Sequence, residues 1–141
     1  MILKSPTKLI RLRGRDKFGN GWYGASRGVR KHEGLDFCCV PDEEIFSPIS
    51  GKAKVGYVYV GSKNIKLIEI IGYIKEHKYK VKIMYVQPDI QTGDYVEKNQ
   101  LIGKAQNISK YHNEPSMKNH VHVSVWKNDL LTDPEPLFTG I

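Results

Sequence analysis

At 141 residues, with ordinary hydrophobic (40%) and charged (26%) fractions, the chain is long enough for a real core and is expected to form one domain over residues 1–141. Its 22 Lys and Arg against 15 Asp and Glu leave a net charge of +7, which favours an anionic partner: nucleic acid, an acidic membrane surface or an anionic wall polymer. No run approaches the roughly 18–20 apolar residues of a membrane span, and Met1-Ile2-Leu3-Lys4-Ser5-Pro6 has no apolar leader region, so the chain is expected to be made without a secretory signal unless a leader has been removed.

In chain order, residues 1–15 are basic and mixed, and Leu9-Ile10-Arg11-Leu12 alternates briefly as an initial edge strand. Residues 16–28 are rich in glycine, asparagine and aromatics and read as a long ordered loop. Within it Trp22 and Tyr23 either line a substrate groove or plug the loop onto the core. Next, His32 sits on a loop that enters a buried strand near Leu35, because Gly34 and the run Phe37-Cys38-Cys39-Val40 oppose a helix. Cys38 and Cys39 are the only cysteines; adjacency opposes a bond between them, and both are expected reduced, in or beside the core. Residues 40–44 read as a turn. Short strands follow at 45–48 and 49–55, split by Pro48 and Gly51, then at 56–63 and 65–73. Residues 79–86 read as one strand with Val81, Ile83 and Tyr85 on one face and Lys80, Lys82 and Met84 on the other. A turn falls at Thr92-Gly93-Asp94, a strand at Leu101-Ile102-Gly103-Lys104, a polar loop carrying His112 at 107–118, and an irregular tail at 132–136. No helical stripe of 11 or more residues is found, nor a phosphate loop or Cys-x-x-Cys pair. The fold class is therefore all-β, mainly antiparallel, with short strands and long loops forming a groove.

The segment Asn119-His120-Val121-His122-Val123-Ser124-Val125-Trp126 alternates with period two. His120, His122, Ser124 and Trp126 share one face and the valines the other, as in a half-buried strand. Same-face neighbours lie roughly 6.5–7 Å apart, so both imidazoles can address one small site. Alone, His-x-His is equally well read as two surface histidines on an edge strand. With His32 and Asp36, one of His120 or His122 completes two nitrogens and one carboxylate, a set suited to catalytic zinc with a fourth position open to water.

His32-x-x-x-Asp36 followed far downstream by His120-x-His122 resembles the lysostaphin-type zinc endopeptidases, which cut peptidoglycan peptides. Phe46-Ser47-Pro48-Ile49-Ser50-Gly51-Lys52-Ala53 resembles the strand pair after that family's aspartate ligand. Gly93-Asp94-Tyr95-Val96-Glu97-Lys98-Asn99-Gln100-Leu101-Ile102-Gly103 resembles a second family segment, with Asn99 at a usual glycine. The stretches Tyr23-Gly24-Ala25-Ser26-Arg27 and Tyr85-Val86-Gln87-Pro88 look closest to the branch that includes leukocyte cell-derived chemotaxin.

The resemblance implies one zinc ion per chain, held by His32, Asp36 and His122, with His120 as general base. The family's Tyr-x-His-Leu motif reads Tyr85-Val86-Gln87-Pro88 here, so Gln87 replaces a catalytic histidine; an amide donates a hydrogen bond but shuttles no proton. Tyr85 or Gln87 would then steady the oxyanion, and His112, in the loop before the active strand, joins Trp22 and Tyr23 as a candidate for the substrate groove, where it either substitutes spatially for the missing histidine or is an exposed loop histidine. The implied activity is hydrolysis of amide bonds in bacterial peptidoglycan. A monomer is expected, and small size, positive charge and the missing leader region suggest a bacteriophage endolysin made in the host cytoplasm and released to the wall. The alternative is a catalytically weak or inactive zinc-bound binding module. A nucleic-acid binder, suggested by Tyr79-Lys80-Val81-Lys82, leaves both histidine clusters unexplained, and no specific nucleic-acid partner is expected.

Overall fold

The computed structural model describes residues 2–12, 15–16, 19–20, 26–27, 30–31, 34–111 and 118–140. Among the described residues strands dominate, and every pairing of named strands is antiparallel. Two small ribbons come first: β1 (Arg15–Asp16) with β2 (Gly19–Asn20), and β3 (Ser26–Arg27) with β4 (Arg30–Lys31). The segment read as a continuous loop at 16–28 thus carries strand pairing. Leu9-Ile10-Arg11-Leu12 contracts to a single antiparallel bridge, Leu12 to Phe37, supported by Cys38 N–H donating to the Arg11 carbonyl at 2.6 Å.

The main sheet is built from β5 (Leu35–Cys38), β7 (Gly51–Tyr57), β8 (Lys66–Ile74), β9 (His77–Met84), β11 (Tyr95–Val96), β13 (His120–Lys127) and β14 (Leu130–Thr132). Its order is β11-β7-β8-β9-β13-β14, and β5 pairs with β13 as well. β13 is therefore flanked on both sides: by β9 on one edge, and by β5 then β14 on the other. This excludes the edge-strand reading of the His-x-His segment. It also corrects the half-buried expectation, because His120 through Val125 are buried on both faces.

A second sheet joins β10 (Val86–Pro88), β12 (Leu101–Ala105) and β6 (Glu44–Phe46). One apolar cluster draws on both sheets, taking Ile45, Val86 and Ile102 from the smaller and Ile68, Val81, Ile83, Val121, Val123 and Val125 from the larger. Phe37 and Phe138 close it edge to face, their ring centroids 5.1 Å apart. Each such aliphatic side chain contributes about 1.5–3 kcal/mol on burial. This cluster fixes the register of β13: a slip of one residue would turn the histidines into the core and the valines out of it.

Three local departures have clear causes. The strand expected at 56–63 ends at Tyr57, because residues 58–64 turn through Gly61 at φ +80°, leaving Val60 fully exposed. β14 returns from β13 through Asn128 and Asp129, both at positive φ (50° and 69°), the two-residue hairpin that asparagine and aspartate tolerate. The strand expected over 79–86 breaks at Tyr85, which sits at φ +76°. Regular alternation would send Tyr85 into the core beside Ile83; the left-handed backbone instead turns its ring to the opposite face. Among the described residues, helix is confined to α1 (Ile108–Tyr111), in the segment read as a polar loop, and a 3₁₀ turn at Glu135–Leu137 in the tail. Among the described residues, no helix is long and apolar enough to cross a membrane.

Candidate functional site

The site grows from register. β5 and β13 pair so that Asp36 stands directly across from His122, and Cys38 from His120. Directly opposed residues of an antiparallel pair project to the same face. Asp36 and His122 therefore meet on the face opposite the core, with His120 two residues before His122. Asp36 Oδ1 lies 2.9 Å from His122 Nδ1, and Asp36 Oδ2 lies 3.6 Å from His120 Nε2. The first is a hydrogen-bond distance and the second is not. The Asp36 carboxylate is only 1% exposed. Burying a charge so deeply is costly unless it is compensated, and the His122 imidazole, at hydrogen-bond distance, supplies compensation.

Each ring is held at its far nitrogen. His120 Nδ1 lies 2.8 Å from the Lys118 carbonyl. A carbonyl can only accept, so Nδ1 carries the proton. In the neutral ring the lone pair is then on Nε2, the atom turned towards Asp36. His122 Nε2 lies 3.0 Å from Ser124 Oγ. A hydroxyl both donates and accepts, so Ser124 can serve either tautomer of His122. Tyr85 completes the group, its ring set edge-on to His120 at 5.6 Å between centroids. Backbone bonds hold it there: Tyr85 N–H donates to the Lys66 carbonyl, and Gln106 N–H donates to the Tyr85 carbonyl, each at 2.9 Å. Gly34 permits the close fit, since a Cβ there would meet the Val123 carbonyl oxygen and come within 2.7 Å of His122 Nε2.

These donors suit zinc. A buried carboxylate oxygen and an imidazole nitrogen stand 2.9 Å apart. Two ligand atoms of a tetrahedral zinc shell, with bonds of about 2.0–2.1 Å, stand about 3.3 Å apart. The observed pair is within half an ångström or so of that spacing, and Ser124 supplies the outer partner that metal-bound histidines ordinarily have. Among the described residues, no group of three or more His, Cys, Asp or Glu side chains is arranged around one metal position. The expected third ligand, His32, lies outside the described residues, as do the groove candidates Trp22, Tyr23 and His112.

The structure thus brings together Asp36, His120, His122 and Tyr85. Gln87 is placed differently. It is exposed on β10 and forms part of the wall of two clefts, of about 760 Å³ and 350 Å³. Among the described residues its side chain makes no hydrogen bond. Sequence reasoning left Ser124 without a role, although its place two residues after His122 on the histidine face was a usable signal.

The family follows from comparison with known proteins. Residues 30–134 match the model of peptidase family M23, so the chain belongs to that family. Chicken (Gallus gallus) myeloid protein 1 is 30% identical over 124 residues, covering 84% of this chain and 35% of that protein. Mouse (Mus musculus) leukocyte cell-derived chemotaxin-2 is 29% identical over 112 residues, covering 77% of this chain and 68% of that protein. Among solved structures, the antimicrobial peptidase lysostaphin from Staphylococcus simulans superposes with a TM-score of 0.63 at 22% identity, over 84% of this chain and 48% of that one. The chain therefore spans about a third of the chicken relative, and the likeness to lysostaphin is one of fold.

Proposed function

We propose that the protein is a zinc-dependent endopeptidase acting on amide bonds in the peptides of bacterial peptidoglycan. The observation that carries this reading is the buried Asp36–His122 pair with Nε2 of His120 turned towards it. Asp36 and His122, with His32, would hold the metal. Bound zinc acidifies a water molecule and polarises the amide carbonyl. His120 accepts a proton at Nε2 and returns it to the leaving amine, while its Nδ1–H stays fixed on the Lys118 carbonyl. Asp36 Oδ2, 3.6 Å from that nitrogen, stabilises the imidazolium that forms. Tyr85 packs the His120 ring into position, and its hydroxyl donates to the oxyanion. The net charge of +7 suits an anionic wall. The bacteriophage setting expected from size, charge and the missing leader region draws on features that many basic proteins share, and forms no part of the proposal.

A second reading keeps the metal and drops catalysis. It is favoured by Gln87, which stands exposed where the family pattern has a proton-transferring histidine. One experiment separates the two: purified peptidoglycan is treated with the protein, with and without chelator, and released fragments are identified by mass spectrometry. Chelator-sensitive release of new peptide termini is the expected result. One equivalent of bound zinc with no release would replace the peptidase by the binding module, and no bound zinc would overturn both.

A further inference from the structure

The face of the main sheet that carries the histidines continues away from them as a basic surface. Register places Ser124 beside Lys82, Glu69 and Lys54 in one row, and Trp126 beside Lys80, Ile71 and Lys52 in the next. Lys80 Nζ lies 4.6 Å from the centre of the Trp126 ring and Lys82 Nζ 5.3 Å from it. Two ammonium groups thus converge on one indole. Neither has a carboxylate within 4.0 Å among the described residues, although Glu69 faces Lys82 in register. The ring attracts each cation through its quadrupole, but the cations repel each other, and an anion between them would relieve that repulsion.

We propose that Lys80 and Lys82, held over Trp126, bind a carboxylate of an acidic peptide substrate. This deepens the peptidase reading and rests on it. Ser124 and Trp126 lie two and four residues beyond His122 on one strand, about 7 and 14 Å along it at a rise of about 3.4 Å per residue. An extended peptide advances about 3.3–3.6 Å per residue. The selected carboxylate therefore belongs to a residue two to four positions from the bond facing Asp36, His120 and His122. Glu69 interrupts the lysine rows and disfavours a continuous polyanion such as nucleic acid, whereas a single carboxylate fits on the Lys80–Lys82 side of it.

The test is equilibrium binding by calorimetry, which needs no turnover and so stands apart from the peptidase reading. Two extended peptides are compared, identical but for one glutamate or glutamine, together with a single-stranded oligonucleotide. The expected result is about tenfold tighter binding of the glutamate peptide, the scale of one charge-assisted contact, weakening as salt rises. Lys80→Gln/Lys82→Gln should bind both peptides alike, and Lys80→Arg/Lys82→Arg should keep the preference, which also shows that the fold tolerates change there. Equal binding of both peptides by the unaltered protein, no binding of either, a preference that survives Lys80→Gln/Lys82→Gln, or binding of the oligonucleotide alone overturns the proposal. Absence of cleavage with the preference intact would count against the peptidase reading and leave the subsite standing.

Discussion

Replacing Gly34 by alanine tests the site at its tightest point. The new methyl would meet the Val123 carbonyl oxygen and approach His122 Nε2 and Cε1 to 2.7 and 2.9 Å. The carbonyl belongs to the central strand and cannot move alone, because Val123 pairs with Leu35 on one side and Ile83 on the other. Relief must come from opening the β5–β13 pair or from displacing the His122 ring, which breaks its contact with Asp36 or Ser124. Overpacking of this kind costs typically 1–3 kcal/mol. For a domain of this size each kcal/mol lowers Tm by about 3–4 °C, so a fall of about 3–12 °C is expected. The functional consequence should be larger than the loss of stability. Losing an outer partner of a metal-bound histidine costs about 10–100-fold in affinity, and Gly34→Ala disturbs the ring itself. Zinc affinity measured by competition with a chromophoric chelator, alongside thermal melting, provides the check. Wild-type affinity and an unchanged Tm in Gly34→Ala would refute the claim that β5 and β13 close on His122 as described.

His120→Ala should keep bound zinc and lose about 10²–10⁴ in rate, the usual worth of a general base; peptide release and metal content measured on one preparation check both halves. Ser124→Ala leaves the His122 Nε2 without its hydroxyl partner and should weaken zinc binding about 10–100-fold, as read by the same chelator competition. The Cys39 thiol is pushed up to about 12 from 9.0, chiefly by burial and then by the nearby Glu43 and Cys38 charges, with Arg11 and Asn119 opposing. The folded value lies above the unfolded one, so this contribution to stability is complete below pH 9 and is lost as pH rises from 9 towards 12. Melting of wild type and Cys39→Ala across that window should show the steeper alkaline loss in wild type, and a parallel loss in both would refute it.

Where polar pattern and apolar pattern coincided, the sequence was legible. Val121, Val123 and Val125 announce the core face of β13, and their burial dictates that His120, His122 and Ser124 share the other. The antiparallel architecture followed from many short runs cut by Gly and Pro. What stayed hidden depended on backbone angles that composition reports weakly. Asn99 occupies a family glycine position, and its φ of +72° explains both the usual glycine and the tolerated asparagine. β14 was missed, although Lys127-Asn128-Asp129-Leu130 holds the two turn residues that a tight hairpin prefers.

Tyr85 shows most clearly why pattern alone fell short. Its side chain fits the alternation of Val81 and Ile83, and a strand prediction has no reason to stop there. Only the partners beyond the strand explain the break. Lys66 accepts its N–H and Gln106 donates to its carbonyl, which ends pairing with β13 and starts the second sheet at Val86. A non-glycine residue at positive φ costs of order 1–3 kcal/mol and persists only when its surroundings over-determine it. Here that strain places an aromatic edge against His120, at the one position where regular β-structure would have buried it out of reach.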